Sequence, residues 1–538
     1  MTQHTITTAH EAIREGRASL GIELGSTRIK ACLVDDEGRT LASGHHSWDN
    51  ELADGLWTYR LEDARAGLRA AYAALAADVE RAYGERIERL AAVGVSAMMH
   101  GYLAFDAEGE LLVPFRTWRN VNTTRAAGIL SDALGVNIPL RWSIAHLHQA
   151  VLDGEEHVGR IAHITTLAGY VHELLTGERV LGVGDASGMF PLDPETGDYD
   201  VAMLHTADEL LAQAGASHLR LTDVLPPIRR AGEAAGTLTD EGAALLDATG
   251  ALRGGAVAAP PEGDAGTGMV ATNAVAPRTG NVSVGTSIFA MVVLERRLAS
   301  RHADIDIVAT PSGVPVAMVH CNNGVSELGE WAGVFHEFAG RIGSAATRDE
   351  VFEALLSGAL ETGTDEGILA YNHLSGEPIA GLDEGRPMIV RTPGSRLSLP
   401  GVMRAQVRGA FATLSLGMRT LADEGVRIDE IAAHGGMFRT KGVAQRLLAA
   451  ALGAPVVVSD SAGEGGAWGM ALLAAYAAEA HARGEATPLP EWLAARIFRE
   501  NAASRVEPAS EDVADHEAFL ARWEAGLAAE RAAAAAIR

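Results

Sequence analysis

Lysine is nearly missing from this chain: of 538 residues, only Lys30 and Lys441 are lysines. Cysteine is equally scarce, and Cys32 and Cys321 alone cannot form a disulfide framework in a chain this long. No run of about 18 uninterrupted apolar residues occurs, so the sequence predicts no membrane-spanning helix. Basic runs are lacking too, and 44 Lys and Arg against 70 Asp and Glu leave a net charge of −26. A surface this acidic repels nucleic acid and anionic lipid, so neither is an expected partner. The opening residues, MTQHTITTAHEAIREGRASL, are polar and amphipathic with no apolar core, which argues against a secretory signal there. With only two thiols, a reducing cytoplasm is the expected location. What the chain has is apolar material, 47% of its residues, enough for large cores and for two to four domains. Disorder as the main state is thereby excluded. Glycine is also plentiful: 60 residues, above the usual level of about 7%.

Alternation and turn chemistry place these glycines. A short helix over 9–18 leads into a three-stranded meander: 19–24, a turn at Gly25-Ser26-Thr27, 29–35, a turn at 36–38, and 39–44. Helical spacing marks 61–83, 124–134, 143–153 and 164–176, and 87–96 reads as a strand. Around RGGAVAAPP (253–261) the chain turns Gly/Pro-rich, and a domain boundary is expected near residue 272, giving units 1–272 and 273–538. The second half repeats the opening grammar. Strand 281–284, the turn Gly285-Thr286-Ser287 and strand 288–294 are followed by helix 402–424 and strand 430–434. Helix 441–452, strand 455–458, helix 464–482 and an alanine-rich helical tail after 506 complete it.

The repeat is the most informative feature. GIELGSTRIKACLV (21–34) and GNVSVGTSIFAMVV (280–293) share one design, a strand, a glycine, two hydroxyl residues and a strand. Such a turn offers backbone N–H and side-chain O–H groups to an anion, with no need of a Walker lysine. Singly, each is a common hairpin turn. Together, one in each half, they suggest a polyphosphate gripped twice. A third segment runs from strand 431–434 into Gly435-Gly436 and on through Thr440 and Lys441, where bare backbone can approach a flat ligand. Neither a P-loop nor a GxGxxG with its downstream acid is present.

These hairpins and the Gly-Gly turn resemble the sugar-kinase, actin and heat-shock ATPase superfamily. Further segments are similar to the FGGY carbohydrate kinases over about residues 19–480: SAMMHGYLAFD (96–106), TWRNVNTTR (117–125), LLTGE (174–178), GDASGMFPLD (184–193), PEGDAGTGM (261–269) and GGMFRTKGVAQRLLAAALGAPV (435–456). Met99-His100-Gly101 is similar to the xylulokinase branch. The resemblance implies an α/β fold of two ribonuclease-H-like domains, with nucleotide and sugar bound in a cleft between them. It implies ATP and Mg²⁺ as cofactors, a small sugar as partner, and a homodimer as a common state. The N-terminal half would bind sugar and the C-terminal half nucleotide.

Phosphoryl transfer to an alcohol needs a base, a divalent metal and fixed donors on the phosphates. Asp264 stands in the segment that resembles the family's catalytic-base motif, beside both sugar and metal; Asp185 is the second candidate base, though its segment GDASGMF reads more as a structural buttress of the sugar site. Glu23 replaces the family's metal-associated Asp; it is a methylene longer, so the ion must shift or lose a bridging water. Gly25, Ser26, Thr27, Gly285, Thr286, Ser287, Gly435, Gly436 and Thr440 form the expected nucleotide contacts. Lys30 lies where the family often has a basic residue near the phosphates, and Lys441 reads as a helix-capping or solvated residue. Met99 and His100 should lie over the sugar. Asn120 and Asn122 replace the Asp and Arg of the family's W-x-D-x-R pattern and would read sugar hydroxyls with altered preference. His146 and His148 lack partners for a metal site. An ATPase machine without a small substrate is the main competitor, and a silent sugar sensor the third reading; the sugar segments oppose the first and Asp264 the second.

Overall fold

The computed structural model describes residues 3–360, 367–459, 465–499 and 503–537, with side chains from residue 9. The chain folds into two compact units. One comprises Met1–Val275, Ile307–Val316 and Glu464–Glu500, the other Ala276–Asp306, Ala317–Gly463 and Asn501–Arg538. The chain thus returns to the first unit late in the sequence, which a division into 1–272 and 273–538 leaves out.

In the first unit the expected meander forms: Ser19–Leu24, Arg28–Val34 and Thr40–Ser47 pair antiparallel in sequence. Ala92–Ala97 joins the other side of Ser19–Leu24 in parallel, followed by Val257–Ala258 and Glu262–Gly263. Every residue of Ser19–Leu24 and of Ala92–Ala97 is buried, so the sheet is covered on both faces. Two glycines reveal what covers it. A Cβ on Gly21 would lie 2.2 Å from the Ala471 nitrogen, and one on Gly44 would lie 2.2 Å from the Ala71 carbonyl oxygen. Gly21 pairs with Cys32 while Gly44 pairs with Ala31, so the two point to opposite faces. Helix Gly465–Arg483 therefore lies against one face and helix Leu61–Tyr83 against the other.

The second unit holds most of a seven-stranded sheet, whose residues 307–309 and 315–316 fall in the segment Ile307–Val316. Its order is Ile305–Ala309, Pro315–Cys321, Ile288–Val293, Thr279–Val284, Glu430–His434, Val456–Val458 and Ser504–Val506. Its opening strand again sits between an antiparallel hairpin partner and a parallel neighbour. Helix Leu399–Asp423 is buried along most of its length against this sheet. Tail helix Ser510–Ala536 docks through Phe519, Leu520, Trp523 and Leu527 onto Tyr371, Ala380, Leu382 and Ala412.

Several expected elements shift at their ends for local reasons. The helix expected from 164 starts at Leu167, because His163–Thr165 is a strand and the Thr166 hydroxyl accepts from Gly169 N as an N-cap. The strand expected over 87–96 is confined to Ala92–Ala97; Glu88 and Arg89 interrupt its apolar run. The first helix spans Gln3–Arg14, ended by Gly16 at φ +70°. Helix 441–452 begins at Val443, after Gly442 at φ +84°. Cys32 and Cys321 are both buried and unbridged. No described helix is long and apolar enough to cross a membrane.

Candidate active site

In the first unit, three parallel strand ends are level: Leu24 pairs with Ala97, and Ala97 with Gly263. The residues that follow, Gly25, Met98 and Asp264, leave the sheet along one edge, where ligands of open α/β sheets bind. Three of the expected residues meet here. Asp264 opens helix Asp264–Ala271 and accepts a hydrogen bond from Met99 N at 3.2 Å. Burial and then the Glu23 carboxylate push Asp264 up, while the amides of Met99, Ala265 and Asp264 itself hold it down, and the balance lies at about 6. It is thus mostly ionised at neutral pH and close enough in basicity to take a proton.

His100 sits at φ +71°, a strained position for a side chain with a Cβ. Its Nδ1 lies 3.2 Å from the Gly188 carbonyl, which can only accept, so Nδ1 carries the proton and Nε2 is the free lone pair. Burial, and then Arg141, depress its basicity well below the usual histidine value, so the ring is neutral. It stacks on Trp142 with centroids 6.4 Å apart.

Behind the half-buried Asp264 lie two fully buried carboxyls. Asp185 accepts from the Thr166 hydroxyl at 2.5 Å and is raised to about 7, first by burial. Glu262, which the sequence reading passed over, accepts from Asp185 N at 3.0 Å and Gly184 N at 3.3 Å. Burial, then Asp185, pushes it well above the ordinary range. Its flanking Pro-Pro and Gly-Asp gave no hint that it is fully enclosed.

Glu23 is 8% exposed, and its Oε2 lies 3.1 Å from Lys30 Nζ. Among the described residues no three His, Cys, Asp or Glu side chains converge to hold a metal ion. Two carboxylates close enough for Glu23 to raise Asp264 do fit an Mg²⁺ that brings phosphate and water ligands with it.

In the first hairpin turn, three carbonyls are tied inward. Gly25 O accepts from Trp48 Nε1 (2.7 Å), Ser26 O from the Tyr59 hydroxyl (2.7 Å) and Thr27 O from Trp48 N (3.2 Å). Across a trans peptide the next N–H points the opposite way, so the Ser26 and Thr27 amides turn outward beside their exposed side chains. The second turn achieves the same result with backbone donors: Val325 N to Gly285 O (2.9 Å) and Gly324 N to Thr286 O (2.7 Å). The two turns differ in length. Gly25 pairs across to Arg28, whereas Gly285 pairs across to Ser287, one residue shorter. Gly435 lies beside the second turn, because Ser283 pairs in parallel with His434. At φ +131°, with a Cβ that would fall 2.1 Å from Val284 O, position 435 accepts only glycine. Gly436 is exposed next to it, whereas Thr440 is buried and Lys441 exposed.

Asn120 needs correction. Its Oδ1 accepts from Trp57 N (2.8 Å), and both amide hydrogens go to Trp57 O (2.8 Å) and Thr117 O (3.2 Å). It fastens the hairpin Glu51–Thr58 to the 117–120 turn, and its amide has no hydrogen left for a sugar hydroxyl. Asn122 is exposed. His146 is buried and lowered to about 3, chiefly by desolvation, as suits a neutral ring.

Residues 18–252 match the N-terminal domain of the FGGY family of carbohydrate kinases, and residues 280–478 match its C-terminal domain. The chain belongs to this family. It is 29% identical over 346 residues to a xylulose kinase of Streptomyces coelicolor, an alignment covering 60% of this chain and 64% of that relative. The chain therefore spans less than two thirds of that relative's own length. Among solved structures, a gluconate kinase and a ligand-bound xylulose kinase, both from Lactobacillus acidophilus, each superpose with TM-score 0.76 at 18% identity. Each covers 96% of this chain and 98% of the other. Two names for different acids and sugars on equally similar folds leave the fold shared and the substrate to the site.

Proposed function

We propose that this FGGY-family chain transfers the γ-phosphoryl group of ATP to a terminal hydroxyl of a ketopentose of xylulose or ribulose type. Asp264 takes the hydroxyl proton, the oxygen attacks phosphorus in line, and ADP leaves. The observation that carries this reading is Asp264 itself: half-buried at the strand ends, raised to about 6, and hydrogen-bonded to the backbone of Met99. Met99 and His100 are the sugar contacts, with the His100 Nε2 lone pair available to accept from a hydroxyl. Mg²⁺, when bound with ATP, offsets phosphate charge, and Glu23 and Asp264 are the residues that would hold it. The first unit takes the sugar and supplies Gly25, Ser26, Thr27 and Lys30 as phosphate donors. The second unit holds the nucleotide at Gly285-Thr286-Ser287 and Gly435-Gly436, with Thr440 supporting the latter.

A coupled assay of ADP release over pentuloses, hexuloses, aldonates and polyols tests this reading. Release that depends on a pentulose supports it. Release that is equal with no acceptor present points instead to an ATPase without a small substrate.

A further inference from the structure

The turn Gly285-Thr286-Ser287 is held by two consecutive peptide N–H groups, those of Gly324 and Val325. The carbonyls of these same two peptides belong to Asn323 and Gly324. Both accept from one side-chain amide: Asn372 Nδ2 lies 3.1 Å from Asn323 O and 2.6 Å from Gly324 O. Each peptide is thus polarised from behind by Asn372 while its N–H grips the turn in front, an arrangement in which successive hydrogen bonds strengthen one another. Asn372 is 3% exposed, so water does not compete for this role.

The next residue is anchored by the tail of the chain. His373 and Glu530 are both fully buried, with Nδ1 at 2.8 and 2.9 Å from the two carboxylate oxygens. His373 Nε2 meets the Thr413 hydroxyl at 3.1 Å, and Glu530 also accepts from Arg386 N at 3.3 Å. On the other side of Asn372, the Tyr371 hydroxyl donates to Trp523 O, and Trp523 Nε1 donates to Ala370 O, both at 2.9 Å. Glu530 and Trp523 both lie on helix Ser510–Ala536, beyond the segment 280–478 that the family's C-terminal domain covers. The helix therefore grips the strand exit on both sides of the residue that backs the turn.

We propose that Asn372 is a positioning residue for the nucleotide phosphates, and that helix Ser510–Ala536 keeps it in register through Glu530 and His373. This rests on the reading of Gly285-Thr286-Ser287 as a phosphate grip. A loose Asn372 lets the Gly324 and Val325 peptides tilt, and the outward amides of the turn lose their aim. The sugar contacts belong to the other unit and are untouched by this change. ATP and sugar should therefore respond differently, which a general loss of stability would not produce.

The test is steady-state kinetics on the full chain, comparing wild type with Asn372→Ala, Glu530→Gln and the double variant Thr286→Ala/Ser287→Ala. One hydrogen bond of about 1 kcal/mol corresponds to roughly five-fold in affinity. Asn372→Ala is expected to raise KM for ATP by about five- to thirty-fold, losing two such bonds, with the sugar KM within two-fold of wild type. Glu530→Gln, which keeps size and one acceptor, is expected to move KM for ATP in the same direction by about three-fold. If Asn372→Ala does not yield folded protein, Glu530→Gln together with calorimetric titration of a non-hydrolysable ATP analogue decides. An unchanged ATP response in these variants overturns the inference alone, provided that the turn variant weakens ATP. Equal losses for ATP and sugar overturn it too, reducing the helix to a structural brace. A turn variant that binds ATP normally overturns the phosphate-grip reading, and the inference falls with it.

Discussion

Glu23 and Lys30 face each other across the first hairpin as directly paired residues, with Oε2 and Nζ 3.1 Å apart. One of only two lysines in the chain thus rests one of its three donors on the carboxylate that raises Asp264. Glu23 pushes the basicity of Asp264 up, and a cation 3.1 Å from Glu23 is expected to offset part of that push.

Glu23→Gln is therefore expected to move the acid limb of the kcat/KM profile down from near pH 6 by roughly 0.5–1 pH unit. Lys30→Met, leaving Glu23 uncompensated, is expected to move it up. The position of the limb is the readout, since lost metal affinity lowers the height instead. An identical limb in all three proteins contradicts the coupling.

The raised carboxyls make stability depend on pH with a definite sign. Asp185, Glu262 and Asp264 all have native values raised above their ordinary ones. The native state therefore holds more protons than the unfolded chain from about pH 4 to pH 7, and stability falls as pH rises through that window. For Asp185, raised from 3.8 to about 7 and fully buried, the loss above pH 7 is up to about 4 kcal/mol. Asp185→Asn keeps the acceptor for Thr166 and removes the charge. Its Tm relative to wild type is expected to climb between pH 5 and pH 8; parallel curves would contradict the assignment.

Asn120→Asp places a carboxylate opposite the carbonyls of Trp57 and Thr117, deleting two donated bonds. The expected cost is about 2–4 kcal/mol, seen as a lower Tm. The Arg119 guanidinium stacks 3.8 Å from the centroid of the Trp57 ring, so a change in tryptophan fluorescence should accompany it. An unchanged Tm would return Asn120 to the role of a free sugar-reading amide.

Gly435→Ala forces a Cβ into the Val284 carbonyl, directly ahead of the Gly285-Thr286-Ser287 turn. KM for ATP is expected to rise at least ten-fold with little change for sugar, measured in the same coupled assay. Equal kinetics to wild type would remove the Gly-Gly turn from the nucleotide site.

Local patterns were legible in the sequence because local chemistry writes them. Both glycine-hydroxyl hairpins, helix Leu61–Tyr83 and helix Thr124–Leu134 follow from spacing and turn residues a few positions apart. Asp264, Met99 and His100 were singled out by resemblance, and the parallel register brings Asp264 beside Met99. Long-range contacts left no such trace. Nothing near Gly21 announces that residue 471 lands on it, and His373 and Glu530 are 157 positions apart. The partner that uses the Asn120 amide hydrogens, Trp57, lies 63 residues away, so those hydrogens looked available in the sequence. The one-residue difference between the two turns was also hidden, since Arg28 closes the first turn with its backbone and not with its side chain.

In the proposed reaction Asp264 removes the proton from a sugar hydroxyl as ATP is cleaved. The most direct measurement is pentulose-dependent ADP release by wild type and Asp264→Asn, with sugar binding followed by calorimetry in both. Asn keeps the shape of Asp and deletes the base, so kcat is expected to fall about 10²–10⁴-fold while sugar still binds. Near-wild-type turnover by Asp264→Asn, or ADP release indifferent to any sugar, would contradict the account.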